Sequence, residues 1–295
     1  MTKKTNSDLQ SKIEAWLNKQ GYPLEMQTAQ AFISRQFDTR QSEFYIDCDS
    51  GETRETDVVA RKDIVIQNLM LRLSIVIECK AATDKPWILF STGKDQLPDA
   101  TRVFQRPASR AGMKALQVLM RNASVCNAPL FAMDANSGYG LVQALRDENP
   151  DRSDVAYRAL VSVTHAACSM ALGSDRIDQQ AKRIVGINAK YAHVLFPTLV
   201  IGGPLWRCTL NKGDTAKVEV KQIECGVLAW KNPIFGHAHT LVHVVTKKHL
   251  DAYADGAAAT YATLKAVSEG VAKSELERVP ASFAERKRAV HAIKI

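Results

Sequence analysis

The chain has 295 residues, 46% hydrophobic and 24% charged, which excludes a disordered polypeptide and allows a substantial buried core. A formal net charge of +8 favours a polyanionic partner. The opening residues through Lys12 lack an apolar h-region. No uninterrupted apolar run reaches membrane-span length, since residues 194–205 come nearest and contain Pro197 and Gly202-Gly203. The expected compartment is therefore the cytoplasm, with no membrane partner. Cysteines 48, 79, 126, 168, 208 and 225 show neither C-x-x-C nor ligand spacing, so they read as small core residues.

In chain order, residues 8–20 read as an amphipathic helix with Leu9, Ile13, Trp16 and Leu17 on one stripe, capped by Ser7 and stopped by Gly21. A second helix follows Pro23 and carries Glu25 just inside its start, where the helix macrodipole favours an acid. A short strand at 42–48 and a turn at Asp49-Ser50-Gly51 lead to a strand-like run, Arg54 to Ala60, that holds one acid, Asp57, ahead of apolar residues.

Residues 71–80, Leu-Arg-Leu-Ser-Ile-Val-Ile-Glu-Cys-Lys, are rich in β-branched residues with no Gly or Pro, the pattern of a strand buried on both faces. Alternation puts Glu78 and Lys80 on one face and Ile75, Ile77 and Cys79 on the other. A carboxylate and an ammonium there are costly to desolvate unless they pair with each other or hold a metal. Both readings are open from this run alone. If the Asp57 strand pairs with it antiparallel through a turn between 61 and 71, Asp57 lies beside Glu78 and Lys80. Two carboxylates next to a lysine then make a site for a hard cation.

Asp57, the run Ile77-Glu78-Cys79-Lys80 and a preceding helix bearing Glu25 resemble the PD-(D/E)XK nuclease superfamily, whose fold is shared with restriction endonucleases. The likeness covers residues 8–82 or so, with Thr56 where the family usually has proline. It implies an α/β fold with an α-β-β-β-α-β core, a mixed central sheet flanked by helices. Residues 1–247 would form the nuclease-like unit, with 83–150 inserted in it, and 248–295 a helical C-terminal extension. It also implies a Mg²⁺-dependent phosphodiesterase in which Mn²⁺ can substitute for Mg²⁺, more an endonuclease than an exonuclease, leaving a 5′-phosphate. Asp57, Glu78, the backbone carbonyl of Cys79 and Glu25, directly or through water, would hold the metal, and Lys80 would orient the attacking water. Such an enzyme fits bacterial defence or repair. The alternative is a non-catalytic nucleic-acid binder of the same fold, or an effector subunit that needs a partner.

Beyond that core, Arg102, Arg106, Arg110, Lys114 and Arg121 outnumber the acids around them. They are the expected contacts to nucleic acid, DNA rather than RNA, though a solvated helix face explains any one of them. Residues 154–172, capped at Ser153, read as the core helix across the sheet, and 193–202 as the next core strand. Runs at 206–210, 217–224 and 240–246 are expected to extend the same sheet. His237, His239 and His243 have strand spacing but no acid beside them, which weighs against zinc. His165 on an apolar helix face reads as a core histidine. The tail, with Arg286-Lys287-Arg288, could cover a sheet face, mediate dimer contacts or hold a duplex.

Overall fold

The computed structural model describes residues 2–66, 69–92, 105–133, 137–144, 154–185, 190–210, 217–231 and 239–271. Two helices open it, α1 (Thr2–Gln20) and α2 (Tyr22–Ile33). Gly21 joins them at φ 92°, where an added Cβ would lie 3.3 Å from that of Ala81. That left-handed turn suits glycine and seats the start of α2 just past the end of the third strand. The Leu9, Ile13 and Trp16 stripe expected to pack inward is instead exposed, with Trp16 touching Tyr22.

Strands β1 (Asp38–Ile46), β2 (Thr53–Ile66) and β3 (Leu69–Lys80) form an antiparallel meander. Next come β4 (Trp87–Phe90), α3 (Arg110–Leu119), the short helices α4 (Ala123–Cys126) and α5 (Pro129–Ala132), and β5 (Gly140–Gln143). The long α6 (Val155–Val185) leads into β6 (Lys190–Ile201). The chain then runs through β7 (Leu205–Leu210), β8 (Val218–Ile223), β9 (Cys225–Lys231) and β10 (His239–Thr246) to α7 (Leu250–Gly270).

The central sheet has the order β1-β2-β3-β6-β10-β9, with β6 parallel to both β3 and β10. Helices flank it on both faces, so the architecture is mixed α/β. On one face Leu71, Leu73, Ile75, Ile77 and Cys79 of β3 join α2, α3 and α7 in the larger core cluster. On the other, Val76 joins Ala156, Ala159, Leu160, Val163 and Ala167 of α6. By length and composition α6 could cross a bilayer. Its apolar face here is spent against the sheet, which is why the helix is so alanine-rich. Its cap is Asp154, whose carboxylate accepts from the Ala156 and Tyr157 amides. Ser153, expected in that role, lies outside the described residues, as does the 272–295 tail.

Not every late strand extends the central sheet. β4, β5, β7 and β8 form a second sheet, ordered β5-β4-β7-β8, while β9, which the sequence did not announce, edges the first. The second sheet packs Trp87, Leu89, Leu141 and Leu205 onto the α6 cluster. Part of 83–150 therefore enters this sheet, and α3 to α5 cover the other face of the central one.

His193 ties β3, β6 and α6 together: Nε2 bonds Ser74 Oγ at 2.7 Å and Nδ1 bonds Ser174 Oγ at 2.8 Å. Burial, reinforced by Arg72 and Arg61, pushes its pKa down to about 3. Gly112 lies so close to this strand that an added Cβ would meet the His193 carbonyl oxygen at 2.2 Å. Gly112→Ala is expected to destabilise by about 1–3 kcal/mol, since the obstacle is backbone. Chemical denaturation checks this, and a wild-type midpoint would refute the close approach.

Candidate functional site

The β2–β3 ladder runs from Ile66↔Leu69 to Val58↔Ile77 and there opens. In the opening, Asp57 Oδ2 accepts the Cys79 amide at 2.6 Å, a side chain standing where a neighbouring carbonyl would continue the ladder. β3 runs on against β6 to Lys80↔Ile201, so its last residues are held while one edge is free for side chains.

Glu78 is buried and held at both oxygens. Oε1 accepts from Lys80 Nζ at 2.6 Å and Oε2 from Ser162 Oγ of α6 at 2.8 Å. Lys80 keeps 28% of its side chain exposed against 11% for Glu78, so the lysine is the more exposed member of the pair. Cys79 turns the other way, its thiol in the core near Thr28 Oγ1, where burial pushes its pKa up.

Glu25, in the first turn of α2, shares this neighbourhood. Burial first, then Glu55 and Glu78, raise its carboxyl pKa against the pull of Lys80. Asp57 is pushed up to about 7, chiefly by burial and by Glu78, with Glu25 adding to it and the Cys79 amide and Lys80 opposing. The expected quartet of Glu25, Asp57, Glu78 and Lys80 is thus one electrostatic neighbourhood at the carboxyl end of β3. Three carboxylates crowd one ammonium there. The donors are all hard oxygens, the kind a divalent cation takes, but among the described residues only Asp47, Asp49 and His165 bring three ligand atoms within 4.8 Å of one another.

A second cluster sits one helical turn along α6. Asp47, at the end of β1, Asp49 and His165 place their ligand atoms within 4.8 Å of one another, spacing that could hold a divalent metal ion. His165 Nδ1 is 3.2 Å from Asp47 Oδ2 and 3.8 Å from Asp49 Oδ2. Asp47 Oδ1 accepts the amides of Asp49 and Ser50, closing the β1–β2 turn, and Arg54 Nε reaches Oδ2 at 3.1 Å. Burial raises the Asp47 carboxyl, but those amides and His165 outweigh it and hold its pKa below the usual value. Asp47 thus already meets two backbone amides, Arg54 and His165. The cluster therefore closes the hairpin against α6 even without an ion.

The two groups share a face. Ser162, His165 and Ser169 of α6 contact Glu78, Asp47 and the Cys48 amide in turn. Tyr45 sits where Asp47, Arg54 and Glu78 all act on its hydroxyl, and burial above all pushes its pKa up to about 12. Sequence reasoning missed Ser162 and the pairing of Asp47 with His165. Its available signal was the polar i, i+3, i+7 stripe on an otherwise apolar helix.

The expected nucleic-acid contacts do not gather here. Arg106 is buried, its guanidinium 4.2 Å from the centre of the Phe196 ring and 5.0 Å from that of Phe131. It is a core cation stacked on aromatics and presents no surface to a phosphate, so that expectation is corrected. Arg110 is exposed but pairs with Asp175, thirteen residues beyond Ser162 on α6, or roughly 20 Å along the helix axis. Lys114 lies one turn further along α3 and is half-buried. Both belong to the opposite end of the sheet from Glu78, because the crossover after β4 returns to the start of β6. Arg102 lies outside the described residues. His243 is buried, with Nδ1 bonded to Tyr253 Oη at 2.8 Å, and His237 is outside the described residues.

No protein-family model matches the chain, and neither the curated proteins nor the solved structures contain a match to it. The Asp47, Asp49 and His165 cluster and the mixed α/β sheet are consistent with a metal-dependent hydrolytic enzyme.

Proposed function

We propose that this chain is a metal-dependent nuclease of the PD-(D/E)XK, restriction-endonuclease-like kind, acting on DNA rather than RNA in the cytoplasm. The observation that carries the reading is the gathering of Asp57, Glu78, Lys80 and Glu25 where the β2–β3 ladder opens. The order α2-β1-β2-β3-α6-β6, with β6 parallel to β3, supports it, since an α-β-β-β-α-β core is what the family resemblance implies.

Asp57, Glu78 and the Cys79 carbonyl would hold Mg²⁺, with Glu25 joining directly or through water. When bound, the ion polarises a phosphoryl oxygen and lowers the pKa of a bound water. The protein's share is orientation. Ser162 fixes one oxygen of Glu78, leaving the other to Lys80. Asp57 has Oδ2 held by the Cys79 amide, which would leave its other oxygen for the metal. Lys80, partly exposed, aligns the attacking water and stabilises negative charge developing on the phosphate. The Asp47–Asp49–His165 cluster braces the β1–β2 turn against α6, next to the helix residue that holds Glu78.

The deciding assay incubates the purified protein with linear duplex, supercoiled plasmid, single-stranded DNA and RNA, each in Mg²⁺, Mn²⁺ or EDTA. Cleavage of DNA in either metal and none in EDTA is expected. Binding without cleavage in any metal would favour the non-catalytic alternative.

A further inference from the structure

The second sheet ends in a strand that is paired on one side only among the described residues. β8 pairs with β7 along one edge, and among the described residues no strand pairs with the other. Every residue from Val218 to Gln222 is exposed. Residues directly opposite in a ladder share a face, so Ile88, Phe90, Val142, Trp206, Cys208, Leu210, Val218 and Val220 all lie on the face turned away from α6. Toward the free edge that face is uncovered: Leu210, Val218 and Val220 are 59%, 57% and 52% exposed. Natural sheets blunt such edges with proline, bulges, short length or charged side chains, and of these β8 carries only its charges, Glu219 and Lys221. β8 is a six-residue strand without proline, and its ladder with β7 is regular throughout.

The charges on this strand suit a second copy of itself. Val218-Glu219-Val220-Lys221-Gln222 is self-complementary when run antiparallel against itself about Val220. Glu219 then faces Lys221 of the second copy and Lys221 faces Glu219, on the face shared with Arg207 and Thr209. Val220 meets its own counterpart on the apolar face, and Val218 meets Gln222. Opposite charges directly across a ladder stabilise it, and like charges there destabilise it. The exposed valines of two copies would also cover one another across the axis. We propose that β8 pairs with β8 of a second copy of this chain in this register, forming a two-fold dimer with a continuous eight-stranded sheet. A two-fold contact of this kind closes on itself and does not propagate into fibres. The proposal does not depend on the nuclease reading.

Charge reversal tests it with the full chain, by sedimentation velocity or light scattering at tens of micromolar. The wild type is expected to be a dimer. Glu219→Lys sets lysine against Lys221 at both ends of the pairing, and Lys221→Glu sets two acids together. Each should weaken dimerisation roughly tenfold or more. An equimolar mixture of the two variants restores both opposite-charge pairs and should dimerise as the wild type does. That recovery also shows both variants to be folded. A monomeric wild type overturns the proposal and leaves the edge to a strand from a different protein. A wild-type dimer unaffected by either reversal, or variants that fail to recover when mixed, would also overturn it.

Discussion

Lys80→Met is expected to lower divalent-dependent DNA cleavage roughly a hundred- to a thousandfold while DNA affinity measured in Ca²⁺ stays near the wild-type value. Methionine keeps most of the aliphatic stem and removes the ammonium, so packing at the end of β3 is retained and the charge beside Glu78 is lost. An interaction needed only as charge develops on the phosphate lowers turnover and leaves ground-state binding alone. Unchanged affinity in Ca²⁺ also reports that the variant is folded. If Lys80→Met cleaves at the wild-type rate and is merely less stable, Lys80 is the structural partner of a buried Glu78 and nothing more. Asp57→Ala and Glu78→Ala should abolish cleavage outright, and wild-type turnover in either variant would remove these residues from the site.

The second large effect concerns stability and pH. The folded protein holds a proton on Asp57 up to about pH 7, against an ordinary carboxyl value of 3.8. Between those values the folded state binds more protons than the unfolded one. Stability therefore falls as pH rises from about 4 to about 7 and is level above that. Asp57→Asn keeps an oxygen able to accept the Cys79 amide and removes the charge crowded by Glu78 and Glu25. It should be more stable than the wild type at pH 8 by about 2–4 kcal/mol, and the two should converge near pH 4. Adding Mg²⁺ or Mn²⁺ at pH 8 should raise the wild-type melting temperature and leave Asp57→Asn nearly unmoved, because the cation offsets the carboxylate crowding that the variant has already lost. Parallel denaturation curves for the two proteins from pH 5 to 8 would show that these carboxylates do not crowd one another.

The core of this picture was written locally. Period-two alternation in β3, with no Gly or Pro to break it, put Ile75, Ile77 and Cys79 on one face and Glu78 and Lys80 on the other, as the two core clusters bear out. The hairpin signal at Asp49 to Gly51 and the alanine-rich run of α6 were equally plain, because turn chemistry and helical periodicity act over a few residues. Alternation and spacing were also enough to bring Asp57 beside Glu78, once β2 and β3 were taken as an antiparallel pair.

Other features depend on pairings between residues far apart in sequence, and only the tertiary structure decided them. Residues that follow β3 closely need not lie near its carboxyl end. The chain crosses over after β4, and Ser109 bonds to His193 at the start of β6, which carries Arg110 to the far end of the sheet. Arg106 looked like a phosphate contact because its charge was visible, whereas Phe131 and Phe196, against which it is buried, are 25 and 90 residues away. The apolar stripe of α1 has a buried-helix pattern, but helical periodicity cannot specify whether the same chain offers a surface to receive it. What Ser162 and His165 on α6 bind was decided only when the sheet set Glu78 and Asp47 beneath them. A strand's alternation is a property of its own backbone, so the sequence alone determined which residues share the face of Glu78. Which charges and hydroxyls meet that face depends on the return path of the chain, so the fold alone decided it.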